Sequence, residues 1–235
     1  MAPFALVTGA ADRIGKGLAL ALAKLGYDIF LHYNSSIKKA KNTQHLIEQT
    51  GRKCMLKKAD FRVEEEVCSL IENCAKEGTL EVLINNASVF VESDIEMEGS
   101  GLLDELFQTN FKAPYILTKQ FARHCRKGLI VNILDTKINQ HHTKHLDYLL
   151  SKKNLEAFTY LSATQLAPSI RVNGIAPGLI LPPENKSENY LQKLAKNIPL
   201  QQTGSVKQLA QAMQFLIENR FITGEIIHVD GGEHL

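Results

Sequence analysis

Tryptophan is absent from this 235-residue chain, and no apolar run approaches the roughly 18 residues that would suggest a membrane span. Neither sign of charge dominates: 27 Lys and Arg against 25 Asp and Glu leave a formal net charge of +2, which gives no reason to expect a nucleic-acid or other polyanionic partner. The densest basic cluster, Lys38-Lys39-Ala40-Lys41, reads as a solvated helix start. Cysteine is scarce as well. Cys54, Cys68, Cys74 and Cys125 contain no C-x-x-C pair, so free, mostly buried thiols in a reducing compartment are expected. The opening "FALVTGAADRIG" is broken by Gly9, Asp12 and Arg13 and lacks the charged start and long apolar region of a secretion signal, so a cytoplasmic location is expected.

What the chain does have is an alternation of short apolar runs and helical periodicity. "FALVTG", "DIFLHY", "KCMLKKAD", "LEVLINNA", "GLIVNIL", "IRVNGIAPG" and "EIIHVDGG" read as seven strands. Amphipathic stretches separate them, including Val63 to Lys76, Leu146 to Leu166, and a long stretch from Leu102 to Arg126 with a break near Asn110. Continuous apolar strands alternating with helices specify a parallel sheet covered on both faces, hence a doubly wound α/β fold. No repeat or linker divides residues 1–235, so one domain is expected. Residues 179–205, proline-rich at their start, form the one candidate for a loop that closes over a substrate.

In such a sheet ligands bind beyond the carboxyl ends of the strands. The first of these ends is "TGAADRIGKG", in which Gly9 permits a tight turn and Gly15 lets a helix begin close to a phosphate group. The stretch after the second strand, "LHYNSS", offers no carboxylate for a ribose hydroxyl. Arg13, His32, Asn34, Ser35 and Ser36 are instead candidate donors to a 2′-phosphate, which favours NADPH over NADH. Tyr148 and Lys152, four apart on a predicted helix, share one face. An ammonium there is expected to lower the phenol's pKa from its ordinary value of about 10. The cluster "HHTKH" at 141–145 has no accompanying acidic or cysteine ligand and reads as a polar loop; no metal site is expected.

Taken together, Thr8-Gly9 with Gly15, Asp60, "NNAS" at 85–88, Asn110, Tyr148-x-x-x-Lys152, Pro177-Gly178 and "ITGEIIHVDGG" resemble the short-chain dehydrogenase/reductase family over essentially the whole chain. The resemblance implies a Rossmann-type domain that binds NADP through Gly9, Arg13, Ile14, Gly15, His32, Tyr33, Asn34, Ser35, Asp60, Phe61, Asn86, Ala87, Ser88, Tyr148, Lys152, Pro177 and Gly178. It further implies that Lys152 holds the nicotinamide ribose, that Asn110 places the lysine through water, and that the chain forms a homotetramer or homodimer. Four departures resemble the pteridine reductase branch: Arg13 where the loop usually has glycine, Ser88 after "NNA", Pro182 after "PGLIL", and Asp135 where the catalytic serine usually stands. That branch implies a dihydropterin substrate held by Ser88, Phe90, Asp135 and Tyr148, with hydride passing to a C=N bond and a proton coming from Tyr148 coupled to Asp135.

Three functions follow as expectations. The first is an NADPH-dependent pteridine reductase. The second is a carbonyl reductase acting on a 3-oxoacyl or small ketone substrate, although the catalytic position lacks a hydroxyl. The third is a non-catalytic NADP(H) sensor, which would have no use for Tyr148 and Lys152. Phe90 reads either as a stacking platform or as a cap on the core, and Asp135 either as a proton relay or as a turn former in an enzyme of changed activity.

Overall fold

The computed structural model describes residues 2–139, 144–183 and 186–235. Seven strands, β1 (Phe4–Val7), β2 (Asp28–Tyr33), β3 (Cys54–Lys58), β4 (Leu80–Asn85), β5 (Gly128–Ile133), β6 (Ile170–Pro177) and β7 (Ile226–Val229), form one sheet. Their order is β3-β2-β1-β4-β5-β6-β7 and every pairing is parallel, as the apolar runs require. The helices are α1 (Arg13–Lys24), α2 (Ile37–Glu48), α3 (Glu64–Glu77), α4 (Gly101–Phe107), α5 (Ala113–His124), α6 (Leu146–Leu166), α7 (Glu188–Ala195) and α8 (Val206–Glu218). The break near Asn110 is a π-helical turn, Gln108–Lys112, joining α4 to α5.

Strand alternation divides the core in two. Ala5 and Val7 of β1, Ile29 and Leu31 of β2, and Val82 and Ile84 of β4 pack with Leu18 and Leu22 of α1 and Leu209 and Met213 of α8. Leu6, Phe30 and Leu83 point the other way, towards Ile71 of α3 and Leu117 and Phe121 of α5. Cys54, Cys74 and Cys125 lie buried in these layers, where desolvation pushes their pKa values up to about 12, 12 and 11; such thiols are inert packing groups.

Close helix docking on the second face depends on a missing side chain. A Cβ at Gly128 would lie 2.6 Å from the Phe121 ring and 2.6 Å from the Glu81 carbonyl, so glycine there lets Phe121 reach the sheet. Phe121 is fully buried. Phe121→Ala is therefore expected to destabilise the fold by about 3–5 kcal/mol, read as a lower urea midpoint with an unchanged m-value.

Candidate active site

The chain reverses its winding direction between β1 and β4, so the loops leaving these neighbouring strands diverge to opposite faces and open a crevice at their carboxyl ends. Thr8 closes the bottom of it. Its hydroxyl donates to the Ile84 carbonyl (3.3 Å) and accepts the N–H groups of Asn86 and Ala87 (both 2.9 Å), while the Asn86 amide donates to the Thr8 and Gly9 carbonyls (2.8 and 3.3 Å). A Cβ on Gly15 would fall 2.3 Å from the Gly9 carbonyl oxygen, and Gly9 itself has φ +63. Only glycine gives this turn its closeness.

A cleft of about 690 Å³ runs along the crevice, within the ordinary size of a ligand site. Gly9, Arg13, Ile14 and Gly15 line it from the β1 exit, where the first-turn N–H groups of Ile14 and Gly15 have no intrahelical acceptor. Tyr33, Asn34 and Ser35 line it from β2, and Asp60 and Phe61 from β3. Asn86, Ala87, Ser88 and Phe90 follow β4, with Tyr148 at the far end. A larger cavity, about 1450 Å³, lies at the opposite edge of the sheet among Phe4, Asp28, Cys54 and Leu80. The carboxyl ends of α2, α3 and α5 border it at Glu48, Glu77 and His124, and their dipoles disfavour phosphate there.

Of the expected phosphate donors, His32 is committed to other contacts, whereas Arg13 gives one of its donors to another group. His32 lines the cleft but is buried, stacked on Phe61 with ring centroids 4.2 Å apart. Its Nδ1 accepts the Gly9 N–H (3.0 Å), which fixes the proton on Nε2, 3.0 Å from the Ala59 carbonyl. Both ring nitrogens are used, and burial pushes the pKa down to about 4, so His32 is a neutral brace under the loop. Arg13 takes the left-handed conformation that glycine usually supplies (φ +53), costing about 1–2 kcal/mol. Its Nη2 donates to the Pro182 carbonyl (2.7 Å), tying the glycine loop to residues 179–205.

At the other end, the Tyr148 hydroxyl donates to Asp135 Oδ2 (2.9 Å), and Asp135 Oδ1 accepts the Lys137 N–H (2.9 Å). Lys152 Nζ donates to the Ile133 carbonyl (2.8 Å) and lies 5.8 Å from the centre of the Tyr148 ring. The expected lowering of the Tyr148 pKa is reversed: burial, then the charge of Asp135 and the hydrogen bond to it, push the phenol well above its ordinary value. Burial also pushes Lys152 down to about 8, against the pull of Asp135.

The direct contacts of Asn110 are to Val89 and Ser151. Its side chain pairs with both backbone groups of Val89 (2.8 and 2.9 Å) and donates to Ser151 Oγ (3.1 Å), fixing the residue before the lysine. Pro177 ends β6 and Gly178 follows it, both outside the lining of the cleft, and a Cβ on Gly178 would strike Asp230 at 2.7 Å.

Phe90 is 52% exposed, which excludes a core-capping role. It stands edge-on to Tyr148 (4.7 Å) and stacks on His145 (4.3 Å), whose Nδ1 lies 3.1 Å from the Val91 carbonyl. His141 and His142, read as part of a polar loop, lie outside the described residues. Lys39 and Arg62, both lining the cleft, were missed in the sequence reading. A basic residue near a helix start or a loop gives no sign by itself of the cleft it faces.

This geometry defines an oxidoreductase of the short-chain dehydrogenase/reductase family, to which the chain belongs. A family model described as Enoyl-(Acyl carrier protein) reductase matches residues 9–234. Among individual relatives, the chain is 30% identical over 280 residues to Pteridine reductase 1 of Leishmania tarentolae, covering 100% of this chain and 97% of the relative. It is 29% identical over 241 residues to the 3-oxoacyl-(acyl-carrier-protein) reductase FabG of Staphylococcus epidermidis, covering 98% of each. The crystal structure of FolM Alternative dihydrofolate reductase 1 from Brucella suis in complex with NADP superposes with a TM-score of 0.93 at 33% identity, covering 99% of this chain and 95% of that one.

Because His32 is held neutral, it links stability to pH. Its folded pKa of about 4 lies below the ordinary 6.5, so its contribution is fully present above pH 6.5 and is lost as pH falls towards 4. The shift corresponds to roughly 3 kcal/mol. His32→Gln is expected to show a shallower loss of stability than the wild type across that window, measured by urea unfolding at a series of pH values.

Proposed function

We propose that this chain is an NADP-dependent reductase acting on a C=N bond of a dihydropterin or related pteridine. The observation that carries the reading is the Tyr148–Asp135 contact at 2.9 Å, a titratable pair where carbonyl reductases of the family place a serine. NADPH supplies the hydride. The floor of bare glycine backbone and the first-turn N–H groups fit its pyrophosphate, and the NADP complex of the Brucella suis neighbour supports the same cofactor.

The balance is dihydropterin plus NADPH plus one proton, giving tetrahydropterin and NADP⁺. As hydride reaches the carbon, the adjacent nitrogen takes the proton from Tyr148. With Asp135 as a carboxylate, that transfer would leave phenolate beside carboxylate in a buried site. The pair must therefore take up a proton before turnover, and a carboxyl group can receive one from water where a serine hydroxyl cannot. Lys152, charged below about pH 8, stabilises the phenolate as it forms. Phe90 offers an exposed aromatic face to a flat bicyclic ring, and Ser88 lines the same cleft. Residues 179–205 are assigned as the substrate loop of a single domain, tied down through Arg13 and Pro182.

The 3-oxoacyl reductase reading is the second choice, favoured by similarity to the Staphylococcus epidermidis enzyme. No described helix is long and apolar enough to cross a membrane. A cytoplasmic homotetramer or homodimer is proposed on family resemblance and on the exposed Tyr115 of α5 and Tyr160 and Leu161 of α6.

NADPH oxidation under oxygen-free conditions, with dihydrobiopterin or an acetoacetyl thioester, tests the reading. Turnover of the pterin is expected. Tyr148→Phe should lower kcat by about 10² to 10⁴-fold and Asp135→Ser should lower it in the same assay. Turnover of the thioester alone, or its gain in Asp135→Ser, would sink the pterin assignment. The rate should also fall as pH rises through about 8, where Lys152 loses its charge.

A further inference from the structure

We propose that Asp230, in the turn after β7, is a positioning residue that holds Asp135 against Tyr148 through the hydroxyl of Thr136. The inference rests on the role given to Asp135 in the proposed function and adds the group that fixes it in place. Asp135 lies two residues beyond β5, and its Oδ1 accepts the Lys137 N–H, a local turn that sets the carboxyl against its own backbone and not against α6. The 2.9 Å contact with Tyr148 therefore depends on what anchors that turn to the rest of the fold.

The residues after Asp135 form a short 3₁₀ turn, Thr136–Asn139, and both of its ends meet β7 and the turn that follows it. Thr136 is buried and donates its hydroxyl to Asp230 Oδ2, while the Asn139 amide nitrogen lies 3.2 Å from His228 Nε2. Between them, Ile138 is buried with Leu134, Leu155, Ala176 and Ile226, and its carbonyl accepts from Lys153 Nζ of α6. Asp230 is a rigid post for this turn. It is buried, its Oδ1 accepts the Gly232 N–H (2.9 Å), and its Oδ2 accepts the His234 N–H (3.0 Å) with His234 Nδ1 2.8 Å away. Gly231 and Gly232 take φ +67 and +86, the left-handed turn that folds these N–H groups back onto the carboxylate. A buried carboxylate with both oxygens engaged keeps one orientation, and the hydroxyl bonded to it is fixed with it. Threonine is stiff about χ1, so fixing its hydroxyl also fixes the backbone of the residue next to Asp135.

Fluorine NMR of the protein labelled with 3-fluorotyrosine reads the contact without a substrate, the Tyr148 signal being assigned by its loss in Tyr148→Phe. Thr136→Val is expected to shift that signal towards its position in Asp135→Ser, and Thr136→Ser, which keeps the hydroxyl, to leave it near the wild-type position. Asp230→Ala should give the same shift as Thr136→Val, and combining the two should add nothing further. Thr136→Val leaves Asp230 and its turn in place, so it decides the matter alone if Asp230→Ala does not fold. In NADPH oxidation with dihydrobiopterin, Thr136→Val should lower kcat by about 10- to 100-fold with KM within about twofold of the wild type. An unmoved Tyr148 signal or an unchanged kcat in Thr136→Val would overturn the proposal. So would an equal loss of kcat in Thr136→Ser, which would mark residue 136 as a packing position only. Failure of the wild type to reduce a pterin would remove the substrate reading, while the fluorine shift would still decide whether Asp230 places Asp135.

Discussion

The hydroxyl of Thr8 joins the two halves of the sheet where they must part. One oxygen donates to β4 through the Ile84 carbonyl and accepts the N–H groups of Asn86 and Ala87 just beyond it. Without this hydroxyl, the N–H groups of Asn86 and Ala87 would lose their acceptor where the chain diverges to opposite faces. The crevice, the glycine turn above it and the "NNAS" segment beside it all follow from keeping these two strand ends together. His32 extends the brace sideways: by accepting the Gly9 N–H and facing the Ala59 carbonyl, it ties the ends of β2 and β3 to the same turn.

Most of the fold was legible in the sequence because its signal is local. Short, largely apolar runs such as "LEVLIN" and "GLIVNI", set between longer helical stretches, read as strands buried on both faces with parallel pairing. The strand order was not legible, since apolar periodicity is the same wherever a strand lies. The π-helical turn was legible only as an interruption; its purpose is seen once Asn110 is found holding Val89 and Ser151.

The site divides in the same way. Gly9, Gly15, Tyr148 and Lys152 were readable because their roles depend on neighbours a few residues away. His32 was misread because its partners, Ala59 and Phe61, lie 27 and 29 residues along the chain, and together they turn a surface donor into a buried neutral ring. Arg13 lines the cleft, but its bond to the Pro182 carbonyl was not legible because it spans 169 residues. The Tyr148 pKa went the wrong way for a related reason. Spacing put a lysine within one turn, but the nearest charged group along the hydroxyl's own hydrogen bond is Asp135.

That reversal bears on what the carboxylate does. With serine at this position the charge of Asp135, which raises the phenol's pKa here, would be missing, which suits a hydroxyl that exchanges its proton with an alkoxide. With Asp135 present, the phenol is held well above its ordinary pKa by burial and by the carboxyl group it donates to. Burial penalises any step that leaves this cluster negative. The cluster therefore resists giving up a proton it has not first received, and the substrate best suited to it is one whose reducible bond is itself basic. An imine nitrogen meets that condition better than a ketone oxygen, because it can share the proton before the hydride arrives. On the proposed reading, aspartate in place of serine changes more than one hydrogen-bond donor: it would set the order in which proton and hydride are delivered.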